Sequence, residues 1–331
     1  MNIAISTNEK YSRYAYIMLN SLIYNNPDEE IVIYVLMSSY EFYGNMLSLK
    51  ELERNDNTIV NFVEVDKLFD FDKLPNNDQW SKEAWFRLAI PDLMPCDMER
   101  ILYLDVDITV CDSIKALYQC EFDDKDLICC RDMATLSWND LLEPQKMLLN
   151  FRKKDDDFLY FNSGVILFNL PRMRKDGYDF ACFREAAEKY GELMYTKDQD
   201  LLNYIFDEGH IKLIDENIFD FFGYTSYKKY GLSYEHVQKN VAIVHWAGFK
   251  PWDTEAIRYP TERVFWDYAK MTPFYQELVE EVLMGEINNA YAAKNISELI
   301  EKLKIANKEK DTFIKTIDGY RQILKNLNVM D

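Results

Sequence analysis

Apolar and polar positions along the first hundred residues alternate in two rhythms. Unbroken apolar runs at residues 2–7, 30–37 and 58–65 have the length of strands. Between them, Ala15, Met18, Leu19 and Leu22 recur at helical spacing, and residues 40–54 read as a second helix. Strands separated by helices of that length predict βαβ units and a parallel sheet. Further strand-like runs lie at 100–104, 126–130, 164–168 and 241–245, with helices expected over 171–190 and 196–208. In sheets of this kind ligands sit beyond the carboxyl ends of the strands, so the polar residues that follow each run carry the interest.

The last sixty residues follow another rule. Ile296, Leu299, Leu303, Ala306, Lys310, Phe313, Ile317, Tyr320, Leu324 and Leu327 recur in a 3-4-3-4 pattern, a heptad seam that Lys310 and Gly319 weaken. Residues 294–325 hold eight Lys/Arg against five Asp/Glu, a net +3. Such an arm can pack on its own domain, pair with a second copy as a homodimer, or rest a basic face on a membrane surface.

Composition narrows the class. The chain has 331 residues, 48% of them hydrophobic and 29% charged, enough apolar material for a sizeable core. Its net charge of −19 makes it a poor partner for nucleic acid. No apolar run reaches the roughly 18 residues needed to span a bilayer. The opening MNIAISTNEK has no basic n-region, so a cytoplasmic protein is expected, at most peripheral to the inner face of the membrane. The six cysteines form no C-x-x-C pair and no zinc spacing, which points to reduced thiols.

Four stretches could carry chemistry. In Leu104-Asp105-Val106-Asp107-Ile108-Thr109 an apolar strand ends in two carboxylates, hard oxygen ligands suited to Mg²⁺ or Mn²⁺. The same residues also fit the Asp-x-Asp-x-Thr loop of dehalogenase-like phosphatases, although three strand signals precede it here. Phe161-Asn162-Ser163-Gly164-Val165 offers an amide for sugar hydroxyls and a glycine for close approach, or else a plain turn. Thr196-Lys197-Asp198-Gln199-Asp200 reads locally as a helix start, with Thr196 and Gln199 as a capping box and Gly209 closing the helix. In His245-Trp246-Ala247-Gly248-Phe249-Lys250-Pro251-Trp252, a strand-end imidazole can ligate metal and a lysine can neutralise phosphate.

In this order the four stretches resemble glycosyltransferase family 8, which includes bacterial lipopolysaccharide galactosyltransferases and glycogenin. The likeness spans about residues 2–252. It implies an α/β GT-A fold, a single Rossmann-like mixed sheet flanked by helices. The domain would occupy 1–270, with a nucleotide-binding half over about 1–110, an acceptor half over about 111–255 and a C-terminal helical extension at 271–331. The resemblance implies retaining transfer of glucose or galactose from UDP-glucose or UDP-galactose to a glycan, glycolipid, lipid-linked sugar or glycoprotein acceptor, as in bacterial cell-surface polysaccharide biosynthesis. The implied cofactor is Mn²⁺, with Mg²⁺ as the alternative.

Residue by residue, the resemblance makes Asp105, Asp107 and His245 the metal ligands. It assigns Ser6, Thr7, Asn8 and Tyr11 to uridine, with Tyr11 stacking on the base. Val106 and Asp105 join Gly248 and Lys250 on the nucleotide, the last two at the diphosphate. Arg87, Asp105, Asn162, Ser163, Asp198 and Gln199 fall to the donor sugar, with Asp198 and Gln199 catalytic, and Asp132 lies on the acceptor side. Three features depart from the family pattern: Asn8 stands where several members carry Asp, the spacing from Gly248 to Lys250 is one residue short, and the C-terminal arm follows no family pattern.

Overall fold

The protein is described from a computed structural model, over residues 1–39, 44–71, 74, 82–152, 158–253 and 258–292. The heptad seam from Ile296 onward lies outside the described residues, as does the start of the expected helix at 40–54.

Seven strands form one sheet in the order β3-β2-β1-β4-β7-β6-β8. They are β1 (Asn2–Ser6), β2 (Ile31–Met37), β3 (Thr58–Glu64), β4 (Arg100–Leu104), β6 (Leu127–Arg131), β7 (Phe161–Asn169) and β8 (Ile211–Ile214). Six run in one direction, and β7 runs against both of its neighbours, β4 and β6. A second sheet of three strands has the order β5-β10-β9, built from β5 (Ile108–Val110), β9 (Phe221–Phe222) and β10 (Ile243–His245).

The central strands of the large sheet are buried on both faces, which is why they read as continuous apolar runs, whereas the edge strand β3 alternates buried and exposed residues at its start. Ile3, Ile5, Leu102, Leu104, Val165 and Leu167 face one core; Ala4, Ile101, Tyr103, Ile166 and Phe168 face the other. The helix Ser12–Asn25 packs Ala15, Met18, Leu19 and Leu22 into the first core, as its spacing foretells.

Three expectations need correction. Residues 171–190 form two helices, Leu170–Asp176 and Phe180–Tyr190, because Gly177 takes a left-handed conformation (φ 79°) and ends the first. The helix expected over 196–208 spans only Asp198–Ile205, so Gly209 does not close it. Within 40–54, the described residues Gly44–Arg54 wind as a 3₁₀ helix. The six cysteines are all free, as expected.

Candidate active site

The site forms where the two sheets meet. β4 ends at Leu104, and the next three residues turn out of the large sheet into β5 of the small one. The backbone fixes this turn at both ends. Asp105 N donates to Gly164 O (2.8 Å), and Trp246 N donates to Asp107 O (2.8 Å). Because β5 pairs antiparallel with β10, His245 lies opposite Ile108, beside the aspartate turn. Asp105, Asp107 and His245 thereby bring ligand atoms within 4.8 Å of one another.

The reversal of β7 completes the cleft. Its amino end lies beside the carboxyl ends of β4 and β6, so Asn162, Ser163 and Gly164 reach the same mouth as Asp105 and Asp132. Gly164 has no substitute there. A Cβ at this position would lie 2.5 Å from His245 Cε1 and 2.8 Å from Asp105 Oδ2.

Charge is tightly paired. Asp107 Oδ1 faces His245 Nε2 at 3.4 Å, and its Oδ2 receives the Lys250 ammonium. Burial alone would raise the Asp107 carboxyl, but Lys250 and His245 override it and hold the group well below the usual range. Burial disfavours the charged imidazole too, yet Asp107 and Asp220 together push His245 up to about 10. The Nδ1 of His245 lies 2.8 Å from Asp220 Oδ1, and Asp220 is itself fully buried. Two hard carboxylates and an imidazole, the latter oriented through its second nitrogen, suit a divalent cation.

A second network surrounds the buried Arg87. It donates to Asp105 Oδ1 (2.8 Å) and to Ser163 O, its Nε lies 3.1 Å from Asp198 Oδ2, and the guanidinium sits over the Tyr103 ring at 4.3 Å. The Tyr103 hydroxyl also donates to Asp105 Oδ1 (3.0 Å). Burial lifts Asp198 to about 6, with Arg87 opposing the shift. The Arg87 guanidinium therefore already holds two carboxylates of the protein.

Gln199 is the hub of a third. Its Oε1 accepts from Asn162 Nδ2 (3.0 Å) and Ser163 N (3.0 Å), and its Nε2 donates to Asp132 Oδ2 (3.0 Å). The capping box read locally at Thr196 and Gln199 is absent. Thr196 Oγ1 pairs with the Tyr160 hydroxyl (2.7 Å), and it is Asp200, not Gln199, that accepts from Thr196 N (2.7 Å). Asp200 has done the local work, which leaves the Gln199 side chain turned to the site residues.

The residues assigned to uridine lie at the end of β1. Ser6 and Thr7 are buried, and Asn8 caps the following turn by accepting from Tyr11 N (3.1 Å) while donating to Glu83 (3.2 Å). Tyr11 stands edge-on to Tyr14, with ring centroids 5.6 Å apart. Gly248 adopts φ +86°, the left-handed turn that precedes Phe249 and Lys250, and Val106 sits at the tip of the aspartate turn. Thr109, which a phosphatase loop would need in its cleft, is fully buried and accepts from the Trp246 indole (2.9 Å).

Asp220 and Tyr103 were not legible as site residues. Asp220 follows Phe219 and precedes Phe221 and Phe222; a carboxylate so enclosed by phenylalanines is itself a signal.

The chain is 23% identical over 304 residues to a lipopolysaccharide 1,3-galactosyltransferase of Salmonella typhimurium, covering 89% of this chain and 85% of that one. It is 28% identical over 222 residues to a putative glycosyltransferase of Haemophilus influenzae, covering 67% of this chain but only 63% of that protein's length. The galactosyltransferase LgtC, solved in complex with donor and acceptor sugar analogs, superposes with a TM-score of 0.66 at 24% identity, over 84% of this chain and all of that one. Its fold is the GT-A fold. The family description Glycosyl transferase family 8 matches residues 2–256, three quarters of the sequence. The chain therefore belongs to glycosyltransferase family 8.

Proposed function

We propose that this glycosyltransferase moves glucose or galactose, with retention, from a UDP-sugar to a cell-surface glycan or lipid-linked sugar. The observation that carries the reading is the convergence of Asp105, Asp107 and His245 from two sheets, with Lys250 seated on Asp107. Their oxygen and imidazole donors fit a divalent cation, and Gly164 leaves the space between them clear.

A bound Mn²⁺ or Mg²⁺ would supply Lewis-acid neutralisation of the diphosphate as it leaves. Asp105, Asp107 and His245 would hold it. Lys250, the nearest ammonium, turns from Asp107 toward the phosphate oxygens and adds a second positive charge where negative charge develops. Ser6, Thr7, Asn8 and Tyr11 line the uridine end, with Val106 and Gly248 along the diphosphate. Asp198 and Arg87 orient the donor sugar. Asn162 and Ser163 hold Gln199 against it, and Asp132 lies toward the acceptor.

An amide is a poor nucleophile. The acceptor hydroxyl therefore attacks C1 from the face that UDP leaves, its proton passing to an oxygen of the departing diphosphate as the C1–O bond to UDP breaks, and Gln199 stabilises the oxocarbenium character between the two events. The relative named as a lipopolysaccharide 1,3-galactosyltransferase supports a bacterial surface glycan as acceptor. No described helix is long and apolar enough to cross a membrane.

The test is UDP release from a panel of UDP-sugars with Mn²⁺ or Mg²⁺ present. Turnover of UDP-glucose or UDP-galactose that vanishes with chelator and in Asp107→Ala supports the reading. Metal-independent turnover, or none with any UDP-sugar, overturns it.

A further inference from the structure

One helix grips both ends of the proposed nucleotide cleft through arginines. Tyr275–Ala292 buries Leu278, Val279 and Val282 in the core and carries three glutamates that face other segments. Glu277 Oε1 lies 2.9 Å from Arg13 Nη1, and Glu281 binds the same guanidinium at 2.8 and 3.1 Å. Arg13 belongs to the turn of chain that carries Tyr11 and Tyr14. Farther along the helix, Glu286 Oε1 lies 3.4 Å from Arg258 Nε.

Arg258 is the more consequential contact. Its Nη1 donates to Pro251 O (2.9 Å) and its Nη2 to Asp253 O (2.7 Å). The next residue, Tyr259, donates its hydroxyl to Phe249 O (2.8 Å). Carbonyls 249, 251 and 253, on alternate residues of one loop, are thus each held from below. That loop contains Lys250, and it closes on itself where Lys250 N donates to Asp253 Oδ2 (3.1 Å). Trp252, between the two carbonyls that Arg258 holds, stacks on Tyr14 at 4.2 Å and 13°. The loop and the uridine end are therefore in direct contact as well as tied to one helix.

We infer that Arg258 is a positioning residue for Lys250, and that Glu286 orients Arg258 for this work. The inference rests on the reading of Lys250 as a diphosphate contact. A guanidinium can do this because its planar fork satisfies two carbonyls while Nε points back at a carboxylate; an ammonium presents one point charge and fixes no plane. When the fork is lost, the loop keeps its chain path, but the Lys250 ammonium is no longer held over the diphosphate.

Calorimetry on the full chain separates this from general scaffolding. UDP binding is measured with Mn²⁺ present, Mn²⁺ binding is measured alone, and the melting temperature is recorded. Arg258→Lys is expected to weaken UDP about tenfold while Mn²⁺ affinity does not fall, since no ligand to the metal is lost and a looser Lys250 only frees Asp107. Glu286→Gln is expected to weaken UDP about threefold in the same pattern, and it decides the matter if the arginine variant does not fold. Unchanged UDP affinity in the folded variant, or equal losses for UDP and Mn²⁺, overturns the role of Arg258. A parent chain that binds no UDP overturns the reading beneath it, a separate outcome.

Discussion

The Nδ1 of His245 lies 2.8 Å from the Oδ1 of Asp220, and the opposite ring nitrogen faces Asp107. The contact sets which nitrogen is available. With Nδ1 engaged by a buried carboxylate, Nε2 is the nitrogen presented to the aspartate turn. Asp220 stands just ahead of β9, and β9 pairs in parallel with β10, so the orienting carboxylate travels with the strand that carries the imidazole.

Asp220→Asn keeps the shape but removes the charge that aligns and enriches the imidazole. Partners of this kind typically cost 10–100-fold in metal affinity when lost. The expected result is Mn²⁺ binding weakened by about that factor, with secondary structure intact by circular dichroism. Unaltered Mn²⁺ affinity would show that His245 does not need Asp220 to face the metal.

Gly164→Ala tests the closeness of the cleft. The new methyl would meet His245 Cε1 at 2.5 Å and Asp105 Oδ2 at 2.8 Å, well inside ordinary contact. Neither group can step aside freely, since Asp220 holds the imidazole and Arg87 holds Asp105. Overpacking of this kind costs about 1–3 kcal/mol. A modest drop in melting temperature is therefore expected, together with loss of Mn²⁺-dependent UDP binding. A variant that binds Mn²⁺ and UDP like the parent would refute the crowding.

Glu262 gives a pH signature away from the chemistry. It is fully buried, and Arg258 Nη1 approaches its Oε2 only to 3.5 Å. Burial outweighs the arginine and raises the carboxyl to about 8. An unfolded glutamate titrates near 4.3. The folded chain thus binds the proton more tightly. The stability this contributes is complete below about pH 4.3 and is lost as pH rises through about 8, at up to about 1.4 kcal/mol per unit. Glu262→Gln cannot ionise, so it should melt above the parent at pH 9 and nearly level with it at pH 4. A constant gap between the two proteins across that range would reject the buried titration.

Much of this site is legible in the order of residues, and what escapes has physical causes. The apolar run 164–168 marks a strand, but hydropathy carries no direction. Only pairing shows that β7 runs backward and so delivers Asn162 and Ser163 to the cleft. The aspartates announce themselves because carboxylates at the end of an apolar strand are costly without a purpose. His245 stands out for a similar reason. Asp220 carries only the weaker signal of its phenylalanine neighbours, since its partner is 25 residues away and the strand that follows it has only two residues. At Thr196-Lys197-Asp198-Gln199 the local rule names the right kind of bond but the wrong acceptor. Asp200 takes the backbone N–H because tertiary contacts from Asn162 and Ser163 claim Gln199.

That exchange makes Gln199→Ala decisive. Because Gln199 is not the helix cap, its loss leaves the start of Asp198–Ile205 with its bond from Thr196 N to Asp200. What it removes is the amide between Asn162, Ser163 and Asp132. Leaving those buried groups without their partner costs about 1–3 kcal/mol, visible as a lower melting temperature. If the amide also steadies the sugar cation, turnover should fall by about 10²–10³-fold, the scale of a lost electrostatic contact to a transition state. Meanwhile UDP affinity should hold to within about threefold, since the Gln199 side chain bonds Asn162, Ser163 and Asp132 rather than the residues assigned to the nucleotide. Initial rates of UDP-sugar turnover set beside calorimetric UDP binding make the comparison. Equal losses in both would mean that Gln199 only shapes the cleft, and the stabilising role would pass to its neighbour Asp198, one of the two carboxylates on Arg87.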